Sequence, residues 1–205
     1  MIATYNNIPI QAVGQLHDRV YNAIRSLPDV TTVLDVACGF GALSQRLIDS
    51  GYRVSGIDLM PYESIQCTDL MAYYELNLNH AWSSQVNSKS GLFDIVVSLE
   101  TIEHLENPRL FFREAAACVK RGGHIILSTP NVDSLISKLW FMYRNRFVYF
   151  SDWYYKTSGH ITPVFEFQVR QICSEQGLSI KKILYLDHRR FDFLSDCVIY
   201  IVVKP

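Results

Sequence analysis

The sequence is short of the features that would assign it to several common classes. It has no run of five or more basic residues, and its 19 Lys and Arg are balanced by 20 Asp and Glu for a net charge of −1. A general electrostatic footprint for nucleic acid is therefore absent, which argues against long polymers as partners while leaving a short RNA end open. No apolar stretch approaches the ~18 residues needed to cross a bilayer. The first ten residues lack a basic start and a long apolar core, so no secretory leader is expected. There is no C-x-x-C pair: the five cysteines (Cys38, Cys67, Cys118, Cys173, Cys197) are scattered and odd in number. Several fall in apolar patterns, which points to buried thiols in a reducing compartment, and a cytoplasmic location is expected.

What is present starts with size. With 205 residues, 49% of them hydrophobic, the chain suits a single α/β domain with a substantial core. Residues 32–36 are apolar and β-branched enough for a buried parallel strand. Ala37, Cys38, Gly39, Phe40 and Gly41 follow, mostly small residues where the backbone must turn sharply and admit a ligand closely. Leu43, Leu47 and Ile48 recur at helical spacing over 42–49, and Gly51 suits a C-terminal cap. Residues 52–57 form the next apolar run, and Asp58 closes it. Ligands of open parallel sheets bind beyond the carboxyl ends of the strands, where a carboxylate can accept both hydroxyls of a ribose. Two cofactor classes compete for this nucleoside-binding half-fold. A dinucleotide fingerprint needs a third glycine where Ser44 stands. Asp35 suits a cationic aminoacyl group and does not suit a pyrophosphate.

The spacing of Ile10, Val13, Leu16, Val20, Ile24 and Leu27 predicts a helix over 10–27, stopped by Pro28 and lying across the entrance to the site. His17 on it reads as structural. A short third strand is expected at 65–67, followed by Thr68, Asp69 and Leu70. Residues 71–91 are polar without a period and read as a surface connection. Residues 93–98 make a fourth strand. Asn107 and Pro108 start a helix that Lys120 and Arg121 close before Gly122 and Gly123. A fifth strand at 124–129, a helix at 164–176 and two last strands at 180–186 and 197–203 complete the pattern.

The run Leu34-Asp35-Val36-Ala37-Cys38-Gly39-Phe40-Gly41 resembles motif I of class I S-adenosylmethionine-dependent methyltransferases, with Ala37 at the usual first glycine. Residues 93–131, FDIVVSLETIEHLENPRLFFREAAACVKRGGHIILSTPN, resemble the segment from strand four to strand five of the ubiquinone-type and related small O-methyltransferases of that class. The resemblance implies a Rossmann-like seven-stranded, mostly parallel sheet with an antiparallel last strand and helices on both faces. It implies S-adenosylmethionine as cofactor, S-adenosylhomocysteine as product, and cofactor contacts at Asp35, Ala37, Cys38, Gly39, Gly41, Asp58, Leu59, Asp69, Leu70 and Leu99. Asp69 would accept from the adenine amino group while the Leu70 N–H donates to a ring nitrogen.

Glu100, Glu103 and His104 fall at i, i+3 and i+4, so one helical turn would project all three from one face at the carboxyl edge of the sheet. Two carboxylates and an imidazole can hold a divalent cation. The pattern resembles the Glu-x-x-Glu-His of magnesium-dependent O-methyltransferases, in some of which a further histidine arrives from beyond the fifth strand; His160 takes a comparable place. One reading has Glu100, Glu103, His104 and His160 hold Mg²⁺. A second is metal-free, with His104 or His160 as general base and the glutamates orienting. A third makes the turn structural. No Asn-Pro-Pro-Tyr follows the fourth strand, which argues against amino methylation of DNA bases and favours oxygen acceptors.

An aromatic-rich insertion is expected around 132–162. Within 139–155, nine of seventeen residues are aromatic, interleaved with Arg144 and Arg146 and followed by Lys156. It reads either as a packed cap or as a lid over a small-molecule, lipid-linked or glycan acceptor, with peripheral membrane contact through aromatic and basic side chains. A nicotinamide-dependent oxidoreductase and a non-catalytic S-adenosylmethionine-binding subunit stand as the alternatives to an O-methyltransferase.

Overall fold

The computed structural model describes residues 3–186 and 194–205. Its first element is a hairpin, β1 (Thr4–Tyr5) paired antiparallel with β2 (Ile8–Pro9). Asn6 and Asn7 turn it at φ 48° and 65°, two left-handed residues in succession being the turn that matches strand twist. The Tyr5 hydroxyl and Asn6 Nδ2 both donate to Asp49 Oδ2, pinning the hairpin to the C-terminal end of the helix at 42–48. Helix α1 (Leu16–Arg25) follows, then β3 (Thr32–Val36), α2 (Ala42–Ile48), β4 (Arg53–Asp58), β5 (Ala72–Glu75), α3 (Ser83–Ser90) and β6 (Phe93–Ser98). The second half runs α4 (Pro108–Cys118), β7 (Val119–Pro130), α5 (Leu135–Arg144), α6 (Asp152–Thr157), α7 (Glu166–Glu175), β8 (Ser179–Tyr185) and β9 (Cys197–Val203).

Seven strands form one sheet in the order β5-β4-β3-β6-β7-β9-β8, all parallel except β9, which is antiparallel to both neighbours. Strand periodicity sorts the core into two layers. Val33, Ile95, Val97, Ile126, Ile199 and Ile201 pack with Leu16, Val20, Leu43 and Leu47 of α1 and α2. Leu34, Val36, Val96, Ile125, Leu127 and Tyr200 pack on the other face with α3, α4 and α7, through Val86, Phe111, Phe112, Ala115, Val169 and Ile172. The chain winds outward from β3 to β5 and returns to β6 on the other side of β3. That reversal opens a crevice at the carboxyl ends of β3 and β6, where such sheets bind ligands. Among the described residues, no helix is long and apolar enough to cross a membrane.

Four expectations are corrected. The hairpin and an irregular segment occupy residues 4–15, so the first helix begins at Leu16 and not at Ile10. The third sheet strand is Ala72–Glu75; Ile65 and Cys67 pack against Ile8 and Ala42 under the hairpin instead of pairing with β4. The polar 71–91 segment holds both that strand and α3. Trp82 anchors α3 in the core with no exposure, and Glu114 of α4 accepts from the N–H groups of Trp82 and Ser83 and from the Ser83 hydroxyl. Finally, α4 stops at Cys118, and Lys120 belongs to β7, where it meets Asp94 at 2.7 Å.

Asp94 also accepts from the N–H groups of Thr31 and Thr32 and from the Thr32 hydroxyl, tying β3, β6 and β7 together at the edge remote from the crevice. Burial pushes its carboxyl up, but the Lys120 ammonium and these donors outweigh it and hold it at about 2. A depressed carboxyl stabilises the fold above its unfolded value near 4 and loses that contribution as pH falls towards 2. Asp94→Asn should therefore lower unfolding stability at pH 7 by roughly 2 kcal/mol. Denaturant titrations from pH 7 to 2.5 should show the gap to wild type closing below pH 4; a constant gap would refute the assignment.

Candidate functional site

The loop after β3 is built on unusual backbone. Ala37, Gly39 and Gly41 all have positive φ, at 59°, 55° and 88°. Gly41 precedes α2 where a Cβ would stand 2.3 Å from the Cys67 Cβ, so both its conformation and its space require glycine. Ala37 carries a side chain in the same left-handed region, at a cost of about 1–2 kcal/mol. Asp58, at the end of β4, accepts from the Gly39 N–H at 2.8 Å and the Met60 N–H at 3.1 Å, which aligns its carboxylate with the loop while lone pairs remain for a ligand.

Asp35 lies buried beneath this loop, taking a 2.6 Å hydrogen bond from the Ser44 hydroxyl. Burial pushes its carboxyl up to about 7 against that hydrogen bond, so an arriving cation would ionise it. It lines a small hollow of about 50 Å³ with Ala37, Cys38, Gly39, Leu99 and His17. His17 is more than a surface residue of α1: its Nδ1 is buried without a partner, and burial holds the ring neutral, down to about 4.

Two larger cavities flank the hollow. One, of about 440 Å³, runs along the crevice past Ala37, Gly39, Asp58, Leu59, Leu99 and the segment 76–79. The other, of about 610 Å³, lies under the 132–162 segment and is lined by Glu100, His104, Pro130, Tyr149, Tyr154, Ser158, His160 and Asp196. Gln11, Glu100 and His104 line both, so the cleft and the chamber meet at these three side chains. Neither cavity is lined by Asp69 or Leu70. Both residues lead into the amino end of β5, away from the carboxyl edge, because the third strand lies later than expected. Leu76, Asn77, Leu78 and Asn79 reach the cleft in their stead.

The turn after β6 is a single 3₁₀ turn at Ile102–His104, preceded by Glu100 at φ 47°. It does not project its three polar side chains together. The Glu100 carboxylate turns to accept from the Val13 N–H at 2.9 Å, and burial raises its affinity for a proton. Glu103 has no exposure; Thr129 donates to its Oε2 at 3.0 Å, its Oε1 has no partner, and burial pushes the carboxyl up to about 8. His160 arrives from beyond α6, and donor atoms of Glu103, His104 and His160 lie within 4.8 Å of one another. Glu100 is outside that group.

The imidazoles are fixed in one tautomer. His104 Nδ1 lies 3.2 Å from the Gly159 carbonyl and His160 Nδ1 lies 2.8 Å from the Tyr149 carbonyl. A carbonyl only accepts, so each Nδ1 carries the proton and each Nε2 keeps its lone pair. Burial lowers both pKa values, leaving both rings neutral at pH 7. The rings stand edge to face at 4.9 Å, and Tyr154 stacks on His160 at 5.6 Å.

A family model described as a methyltransferase domain matches residues 11–183. The chain belongs to this family. By family and fold it is a methyltransferase domain of the S-adenosylmethionine-dependent class, which sets aside the nicotinamide alternative. Among curated relatives, the ubiquinone biosynthesis O-methyltransferase of Serratia proteamaculans is 35% identical over 116 residues, 54% of this chain and 46% of that protein. Its counterpart in Vibrio parahaemolyticus is 33% identical over 102 residues, 48% of this chain and 43% of that protein. The matches thus span about half the length of these relatives. The magnesium protoporphyrin IX methyltransferase of Synechocystis PCC 6803 with bound SAH shares the fold at a TM-score of 0.63, with 20% identity, over 93% of this chain and 82% of that one. The N-methyltransferase NodS of Bradyrhizobium japonicum does so at 0.62, with 17% identity, over 92% and 94%.

Gln11, the 76–79 segment, Tyr149 and Tyr154 are the residues that sequence reasoning passed over. Only the aromatics carried a signal, their density. The loop backbone yields a paired test. Gly41→Ala should destabilise the fold by about 1–3 kcal/mol and abolish S-adenosylhomocysteine-induced thermal stabilisation, whereas Ala37→Gly should add about 0.5–1 kcal/mol and keep it. Destabilisation by Ala37→Gly would show that the left-handed alanine is not strained.

Proposed function

We propose that this chain transfers the methyl group of S-adenosylmethionine to a hydroxyl oxygen of an acceptor that is small or forms the head of a lipid- or glycan-linked molecule. The observation that carries this reading is the pair of neutral imidazoles, each with a free Nε2 lone pair, at the chamber side of the junction with the cofactor cleft. When bound, S-adenosylmethionine supplies an already electrophilic methyl group and departs as S-adenosylhomocysteine. Asp58 would receive the ribose hydroxyls, Asp35 would serve the cationic aminoacyl end, and Asn77 with Leu78 would border the adenine. On the acceptor side, His104 or His160 takes the hydroxyl proton at Nε2 while the oxygen bonds to the methyl carbon. Alignment of acceptor and methyl group supplies much of the remaining acceleration. Among the described residues, the chamber lining carries the carboxylates of Glu100 and Asp196, and Tyr149 and Tyr154 suit an aromatic or sugar ring. The curated relatives, named as ubiquinone biosynthesis O-methyltransferases, support oxygen as the accepting atom.

A second reading is favoured by the orphaned Glu103 Oε1 beside the two imidazoles. Glu103, His104 and His160 would hold a divalent cation, which would polarise the acceptor hydroxyl. One carboxylate and two imidazoles suit a transition-type cation better than Mg²⁺, which prefers oxygen ligands.

With labelled methyl donor and fractionated lipid and glycan extracts, His104→Gln or His160→Asn should lose roughly 10²–10⁴-fold in turnover while S-adenosylhomocysteine still binds. Because both imidazole pKa values sit below the ordinary 6.5, the wild-type rate should hold at pH 7 and fall only on further acidification. Activity that survives exhaustive chelation supports the metal-free base; activity abolished by chelation and restored by a divalent cation supports the second reading. Transfer undiminished in both histidine variants would sink both.

A further inference from the structure

Between the hairpin and α1 the chain passes over the crevice as an irregular strap, residues 10–15. Ala12 lines the hollow and the chamber, and Val13 lines the chamber. Gln11 lines the hollow, the cleft and the chamber alike. Its Oε1 takes the space that a Cβ on Gly39 would fill, so the side chain lies directly over the glycine loop. The Gln11 amide has no hydrogen-bond partner among the described residues, which leaves its polar end for a ligand.

Little else holds this strap in place. Of the side chains from 11 to 15, only Ala12 packs on the core; Gln11, Val13 and Gln15 are exposed. The Val13 and Gln15 carbonyls accept from the N–H groups of Leu16 and Arg19, bonds that lead only into α1. Among the described residues, the hydrogen bond that ties 11–15 to the sheet is the one from the Val13 N–H to Glu100 Oε2, at 2.9 Å. Glu100 is fixed at its other end. Its own N–H donates to the Ser128 hydroxyl at 3.0 Å and to the Ser128 carbonyl at 3.2 Å, both on β7. A glutamate at φ 47° persists only where its surroundings over-determine it. Here that backbone carries the carboxylate to a partner 87 residues away, outside the cluster of Glu103, His104 and His160.

We infer that Glu100 is a positioning residue: its carboxylate latches the strap at Val13 and so keeps Gln11 over the glycine loop, where its amide meets the methyl donor. The inference rests on reading the crevice as the S-adenosylmethionine cleft. It gives Glu100 a task that requires neither its charge nor a cation, only an oxygen that accepts.

Glu100→Ala and Glu100→Gln in the full chain separate the latch from a charged role. Hydrogen exchange at the Val13 amide, without ligand, reads the latch itself. Calorimetric titration with S-adenosylhomocysteine reads its consequence. The alanine variant should exchange at Val13 at least about tenfold faster and bind S-adenosylhomocysteine roughly tenfold more weakly. The glutamine variant, whose amide oxygen still accepts, should stay within about threefold of wild type in both. Gln11→Ala, at an exposed position, should weaken binding similarly while Val13 exchange is unchanged; it serves as the test should the alanine variant at 100 fail to fold. Unaltered Val13 exchange in Glu100→Ala, a glutamine variant as impaired as the alanine one, or full affinity in Gln11→Ala overturns the inference. Wild type that binds no S-adenosylhomocysteine, with Val13 protected as expected, overturns the cofactor reading and leaves the strap a purely structural latch.

Discussion

The chamber side of the crevice hangs on Glu103. Its side chain is sealed from solvent and held by Thr129 of β7, while its backbone carbonyl accepts from the N–H groups of both Ile161 and Thr162 at 3.0 Å. One residue thus joins the turn after β6, the end of β7 and the loop that carries His160. Thr162 reinforces the join by donating its hydroxyl to the Leu105 carbonyl at 2.6 Å. Without these bonds, His104 and His160 would sit on segments more than fifty residues apart with little to set their separation. A buried carboxyl with one partnered and one orphaned oxygen is costly, and such a cost is ordinarily retained where geometry has to be exact to a fraction of an ångström.

Both edges of the sheet carry left-handed residues, and different contacts hold them. At the carboxyl edge the chain accepts strain: Ala37 and Glu100 are side-chain-bearing residues in the left-handed region, one in each of the two loops at the switch point. At the amino edge Asp29 and Asp69 are left-handed as well, at φ 56° and 62°, and Asp94 gathers donors from β3 and a cation from β7. Strained positions persist only where surrounding structure over-determines them. Here the Asp94 contacts hold the strands in register while the loops at the opposite edge border the crevice.

The sequence was most legible where local pattern and tertiary role coincide. β3, the glycine loop, α2 and β4 were readable because a buried parallel strand is apolar throughout and its loop must be small. The same holds for the Asn107 cap, whose Oδ1 accepts from the Leu110 N–H. It was least legible where tertiary contacts supply what the segment lacks. α3 has almost no apolar face and forms because Trp82 inserts in the core and Glu114, from another helix, satisfies its first N–H groups. Ile65 and Cys67 imitated a strand because they are apolar, yet they serve the underside of the hairpin; Tyr73 and Tyr74 carry the real pairing. That displacement alone put the expected adenine contacts at Asp69 and Leu70, whereas Leu76 to Asn79 line the crevice. The Asn6-Asn7 turn was a readable hairpin signal overruled by an apolar spacing that looked helical.

The histidines show the limit of spacing arguments. A Glu-x-x-Glu-His turn suggests three ligands on one face, but the short 3₁₀ turn and the left-handed Glu100 rotate one carboxylate to the Val13 N–H. What remains is a carboxyl below and two imidazoles above, each with its tautomer imposed by a backbone carbonyl. His160 takes that carbonyl from Tyr149 and its stacking partner from Tyr154, both on the aromatic insertion. The orientation of His160 and the closure of the chamber are therefore set by the same side chains. Any displacement of Tyr149 or Tyr154 would also release His160, so the width of the chamber and the set of that imidazole are coupled through contacts that no count of aromatic residues could have disclosed.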